Sequence, residues 1–289
     1  MTAAHAETLP ESQDTESRGR HRRRRSRRTG RRTAVVVAVG VLALTALGAG
    51  YVVVTAGDRS PAARDAKRGS ASVGHSVPAA AHPGGVVDAT ARPSPVIPGL
   101  GPRTRAAIPA ASRQVLVASG NRRNSPVTVV TLWFRTADGH WKAGLPWPAH
   151  NALRGWTRTH HAGDLHSPIG VFTLTDAGGF EPDPGSRLPY HHSSRFHAGG
   201  VGFDGEPLDE AFDYVIAINY NRVPGTSPLD ATQPLGSFRG GGIWVHVDHG
   251  GPTHGCVSVS AAHMVELLRT LTPADHPVIV MGDAASLRS

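Results

Sequence analysis

The chain has 289 residues, with 30 Lys and Arg against 22 Asp and Glu, for a formal net charge of +8. Ten arginines lie between Arg18 and Arg32, preceded by four acids, so residues beyond 33 are close to neutral and do not form a basic nucleic-acid-binding domain. A single cysteine, Cys256, excludes an intramolecular disulfide framework and a multi-cysteine metal site, and 34 glycines with 23 prolines point to loops and β structure rather than a helical bundle.

In chain order, residues 1–33 form a basic tail. Residues 34–57 carry no charge; as a helix rising about 1.5 Å per residue they are long enough for a hydrocarbon core about 30 Å thick. The flanking arginines predict a cytoplasmic N-terminus and an extracytoplasmic body held at the plasma membrane by a single-pass anchor. A cleaved signal peptide is the rival reading, disfavoured by the length of the apolar run. Residues 58–111 contain eight prolines with many Ala, Gly and Ser, and no apolar periodicity, which predicts a disordered linker.

The predicted folded body spans 112–284, one domain by size, followed by a short tail at 285–289. Short β-branched or alternating runs at 114–118, 127–134, 170–175, 214–220 and 243–248 predict strands. Ala137-Asp138-Gly139 predicts a turn before Trp141. Ser260 is placed to cap a helix whose apolar stripe is Met264, Val265, Leu267, Leu268 and Leu271. Thr272-Pro273 ends it, and 277–281 reads as a last strand. The expected fold is mainly β with one late helix.

The chemistry concentrates at 242–260, GIWVHVDHGGPTHGCVSVS. Strand alternation puts Trp244, His246 and Asp248 on one face, and the glycine-rich loop brings Cys256 back toward His246. A thiol with a free pKa near 8.5 needs a neighbouring imidazole to act as a nucleophile at neutral pH. Gly255 lets backbone N–H groups turn toward an oxyanion. The residues alone leave three readings open: a cysteine acyltransferase, a zinc peptidase using His246, His249 and His254, and a non-catalytic binding module. Asp248 is a candidate to orient an imidazole, and His249 is either a solvated loop residue or an alternative base. His191, His192 and His197 lie in a Pro/Gly/Ser-rich stretch, either an exposed loop or a lid.

Thr253-His254-Gly255-Cys256 resembles the [S/T]-H-G-C signature of the L,D-transpeptidase catalytic domain (YkuD) family. The stretch from Ser167 through Phe172 resembles its T-P-x-G-x-F element, with Ser167 in place of Thr. The resemblance implies a YkuD-like β-sandwich and a cysteine-dependent acyltransferase that joins peptidoglycan stem peptides through 3→3 links, with possible L,D-carboxypeptidase activity. It implies no metal or cofactor, and inactivation by carbapenems. Carried over by position, Cys256 is the nucleophile and His246 the general base. Thr253, His254 and Gly255 form the oxyanion loop, and Ser258, Trp244 and His249 are candidate substrate contacts. Two departures stand out: Ser258 occupies a position that is usually Arg or Asn, and the ten residues from His246 to Cys256 are fewer than is usual.

Overall fold

β-Branched and aromatic runs form most of the strands, and their pairing closes a single sheet on itself. The computed structural model describes Asp88 and residues 90–289. The basic tail, the span predicted at 34–57 and most of the predicted linker therefore lie outside the described residues. No helix among the described residues is long and apolar enough to cross a membrane. The strands are β1 (Gln114–Gly120), β2 (Val127–Arg135), β3 (Trp141–His150), β4 (Trp156–Thr157), β5 (Ser167–Pro168), β6 (Gly170–Gly179), β7 (Tyr190–His192), β8 (Val215–Ile218), β9 (Trp244–Val247), β10 (Val257–Val259) and β11 (Val278–Asp283). The helices are α1 (Pro102–Ala106), α2 (Ala261–Thr270) and α3 (Ala284–Leu287).

The pairing order is β11-β1-β2-β3-β10-β9-β8-β6, with β7 beyond β6, and β6 also pairs β11. The mainly β expectation therefore holds: eight of the described strands close into one continuous ring, with β4 and β5 pairing only each other. Closure depends on β6. Its residues from Gly170 to Thr173 pair β11, and those from Leu174 to Gly178 pair β8, with a register shift between Leu174 and Ala177. A bulge of this kind bends a strand so that it can serve two partners.

The main core lies between the ring and α2. Ser260 caps that helix, its hydroxyl accepting the His263 N–H, and Met264, Leu267 and Leu268 are buried along the predicted stripe. A second cluster covers the other face of β1 and β11, where Val115, Val117, Val278 and Val280 pack against Ile97, Leu100, Trp141 and Leu287. Two predicted boundaries therefore move. Residues 94–111, assigned to the disordered linker, are part of the folded body: Ser94 bridges Trp141, and the Gly101 amide donates to the Leu287 carbonyl. The tail at 285–289 is likewise folded, with Asp283 capping α3 and the Ser289 carbonyl accepting from Arg103 and Thr104. Both segments are needed because β1 and β11 are apolar on both faces.

At the β6 bulge, the buried Asp176 carboxylate accepts from Arg222 Nη1 (3.0 Å), the Gly225 amide (2.9 Å) and Thr175 Oγ1 (2.6 Å). Arg222 also reaches the Thr226 carbonyl. Its neighbour Asn221 donates to the carbonyls of Gly236 and Gly240 and accepts the Leu235 amide. Together these bonds tie down the long loop between β8 and β9. Removing one member of a buried ion pair strands the other charge, at a cost of about 3–5 kcal/mol. Asp176→Ala is therefore expected to lower unfolding stability by that amount in urea titration. A loss under about 1 kcal/mol would show that the arginine finds water instead.

Candidate active site

The segment that carries the candidate site is built on the parallel pair β9 and β10. Its register places Val245 beside Val257 and His246 beside Ser258. Val245, Val247, Val257 and Val259 face the core. By alternation, Trp244, His246, Cys256 and Ser258 share the opposite face. Residues 248–256 carry the chain back from the end of β9 to its start. On the way Thr253 is anchored: its amide donates to Asn151, its carbonyl accepts from Leu153, and its hydroxyl donates to the Cys256 carbonyl at 2.8 Å. Ser167, from the second motif element, donates to the same carbonyl at 3.1 Å and accepts the Ala152 amide.

These bonds leave Cys256 half-buried at the start of β10. Its Sγ accepts the Trp244 N–H at 3.4 Å and lies 3.7 Å from the Gly242 carbonyl. Burial pushes the thiol up to about 11, against the smaller opposing effect of the Trp244 amide. Among the described residues, the amides of His254, Gly255 and Cys256 donate to no other backbone atom. Gly255 sits in close packing: a Cβ there would lie 2.9 Å from Ile243 Cδ1, the movable end of that side chain, and 3.5 Å from the His166 carbonyl.

His246 is buried, and its Nδ1 lies 2.8 Å from the Val247 carbonyl. That contact makes Nδ1 the protonated nitrogen. Phe212 packs edge-on against the ring at 5.3 Å, and His249 stacks on it at 5.7 Å. Burial is the main cause that depresses the imidazole pKa, to about 4, with His249 adding to it and the Val247 carbonyl opposing it.

The remaining candidates divide. Trp244 is wedged between Phe196 and Phe212, each edge-on to its ring, and lines a cleft of about 260 Å³ with Gly242 and Asn221. Ser258 is not a substrate contact. It is fully buried, donating to Asp248 Oδ1 (2.5 Å), which also lies 2.8 Å from His150 Nδ1. Asp248 thus orients His150 rather than His246, and its hydrogen bond raises the His150 pKa. His249 is not a solvated loop residue: Glu206 Oε1 holds its Nδ1 at 3.0 Å, with the histidine side chain 7% exposed. With Asp248 and Ala211 it lines a second cleft of about 290 Å³. His254 is exposed and turned against Phe203 at 4.6 Å.

The three histidines of the zinc reading do not converge, and among the described residues no group of three His, Cys, Asp or Glu is spaced to hold a metal ion. The histidines read as a lid or exposed loop lie on structured chain: His191 and His192 belong to β7, and His192 Nε2 lies 3.0 Å from the Phe180 carbonyl.

Sequence spacing missed three contributors. His150 and Glu206 reach the site across long sequence separations. The His160–Asp164 pair, behind Gly255, carries no motif of its own.

The family model for the L,D-transpeptidase catalytic domain (YkuD) matches residues 112–280. The chain belongs to that family. No curated protein matched it. Among solved structures, it is similar to the helical cell shape determining protein Pgp2 from Campylobacter jejuni, at 14% identity and a TM-score of 0.34, covering 59% of this chain and 48% of that one.

Proposed function

We propose that this protein is a peptidoglycan L,D-transpeptidase that works through a Cys256 acyl-enzyme. The observation that carries the reading is the parallel β9–β10 pair, whose alternation puts the thiol and a buried His246 on one face, with Nδ1 held by the Val247 carbonyl. Sγ attacks the carbonyl that precedes the terminal D-residue of a tetrapeptide stem, and Nε2 takes the thiol proton. The amides of Gly255 and Cys256 receive the oxyanion, where preorganised donors stabilise developing charge. The carbon–nitrogen bond then breaks, the imidazolium proton passes to the leaving amine, and a thioester remains. An acceptor side-chain amine gives its proton to Nε2 and attacks the thioester, forming the 3→3 amide and restoring the thiol. With water as acceptor, the same steps give L,D-carboxypeptidation. Carbapenems, which acylate through a strained amide, are proposed to inactivate the same thiol.

Residues 34–57 are proposed to anchor the protein in the plasma membrane, with the catalytic body outside the cytoplasm. The decisive experiment incubates the protein with a disaccharide-tetrapeptide and reads its intact mass. The expected result is an acyl adduct on Cys256 with release of the terminal D-residue. A chain that stays unmodified and releases nothing overturns the reading.

A further inference from the structure

The turn joining β4 to β5, residues 158–166, carries a buried histidine–carboxylate pair that the proposed reaction does not use. His160 is 5% exposed, and its Nδ1 lies 2.9 Å from Asp164 Oδ1. Asp164 is itself fixed, accepting the amides of His161 (3.0 Å) and His166 (2.9 Å). Tyr220 packs edge-on against the His160 ring at 5.2 Å, and its hydroxyl lies 3.2 Å from the His160 carbonyl and 3.0 Å from that of Arg239. The pair is thus braced from its own turn and from the start of the β8–β9 loop.

The free edge of the ring faces two glycines. A Cβ built on Gly255 would sit 3.7 Å from His160 Cε1, and one built on Gly240 would sit 3.2 Å from Nε2. Gly255 directly precedes the nucleophile. Gly240, at φ +66°, begins the run that ends in Gly242, whose carbonyl lies 3.7 Å from Sγ. One flat ring therefore fills the slot between the two backbone segments on either side of the thiol. An aliphatic residue could fill the volume but would place no ring nitrogen beside the Asp164 carboxylate, 2.9 Å from His160 Nδ1.

We propose that His160, braced by Asp164 and Tyr220, is a positioning residue that holds the Gly255–Cys256 loop and the Gly240–Gly242 run in register around the thiol. Its catalytic consequence rests on the acyl-enzyme reading above; its structural consequence does not. His160→Leu, His160→Gln and Asp164→Asn are made in the full chain. Hydrogen exchange is read at three amides that are bonded in this region, those of Thr253, Gly240 and Trp244, with β1 as reference. The expected result for His160→Leu is exchange at least about tenfold faster at these amides and unchanged in β1. Acyl transfer should lose about 100-fold in kcat with KM nearly constant, the pattern of misplaced reacting groups. His160→Gln, which can still reach Asp164, should recover part of kcat.

Unchanged exchange in a folded variant overturns the proposal, as does a lowered melting temperature with kcat intact. If His160→Leu does not fold, the Gln and Asn variants carry the same readouts. If the wild-type chain forms no acyl adduct, the acyl-enzyme reading fails, and the exchange data still decide the positioning role.

Discussion

Cys256→Ser is expected to abolish acyl-enzyme formation, with no adduct mass after incubation with a disaccharide-tetrapeptide under conditions that fully label the wild-type protein. The substitution leaves the site's shape nearly intact, because a hydroxyl can still accept the Trp244 amide that now reaches Sγ. What changes is nucleophilicity. Sulfur attacks carbonyls well once its proton is removed, whereas an alcohol demands far more of its base. The base here is weak, with a pKa near 4, and so ill-matched to an alcohol. A melting temperature close to wild type will separate lost chemistry from lost fold. A serine variant that acylates at the wild-type rate would sink the mechanism. The thiol's raised pKa adds a second readout. Because burial favours the neutral form, the thiolate fraction of the free enzyme rises toward pH 11 instead of levelling off after the usual pKa near 8.5. Alkylation by iodoacetamide should therefore keep accelerating above pH 9.

Much of this was legible because two physical signals were strong. β-Branched runs marked β1, β2, β8, β9 and β11, and the helical spacing of Met264, Leu267, Leu268 and Leu271 marked α2. β3 was hidden by Gly144, Pro146 and Pro148, residues that argue against a strand. They are tolerated because β3 pairs fully with β2 on one side but with β10 only at His150 on the other, leaving an edge where a missing N–H breaks no ladder. β10 has three residues, too few for periodicity to register. Residues 94–111 lack a pattern because Ile97 and Leu100 cover a sheet face from irregular chain, which imposes no period. At the site, Cys256 and His246 could be found from local spacing. Ser258 was read as a substrate contact because alternation cannot reveal that Asp248 bonds its hydroxyl and His150 lies beyond. His160 was invisible for a similar reason: its contacts with Gly240 and Gly255 exist only once the sheet has closed.

His246→Ala is expected to slow acylation by about 10²–10⁴, the range for loss of a general base, with little effect on substrate affinity. In the proposed mechanism the Val247 carbonyl fixes the tautomer for that role, and Phe212 and His249 pack against the buried ring. The same burial keeps it unprotonated: with a pKa near 4, Nε2 stays available as the pH falls through the range where a solvated histidine, near 6.5, would be charged. The acid limb of kcat/KM should accordingly fall near pH 4 to 5, not near 6.5. The thiol at about 11 and the imidazole at about 4 also lie too far apart for a resting thiolate–imidazolium pair. The proton must therefore move as Sγ attacks, and removing the imidazole acts on kcat. Single-turnover acylation followed by intact mass across pH 4 to 9 measures both effects. A wild-type rate in the alanine variant would transfer the base role to His249, whose ring stacks 5.7 Å away. An acid limb at 6.5 would show that the imidazole is solvated in the working enzyme.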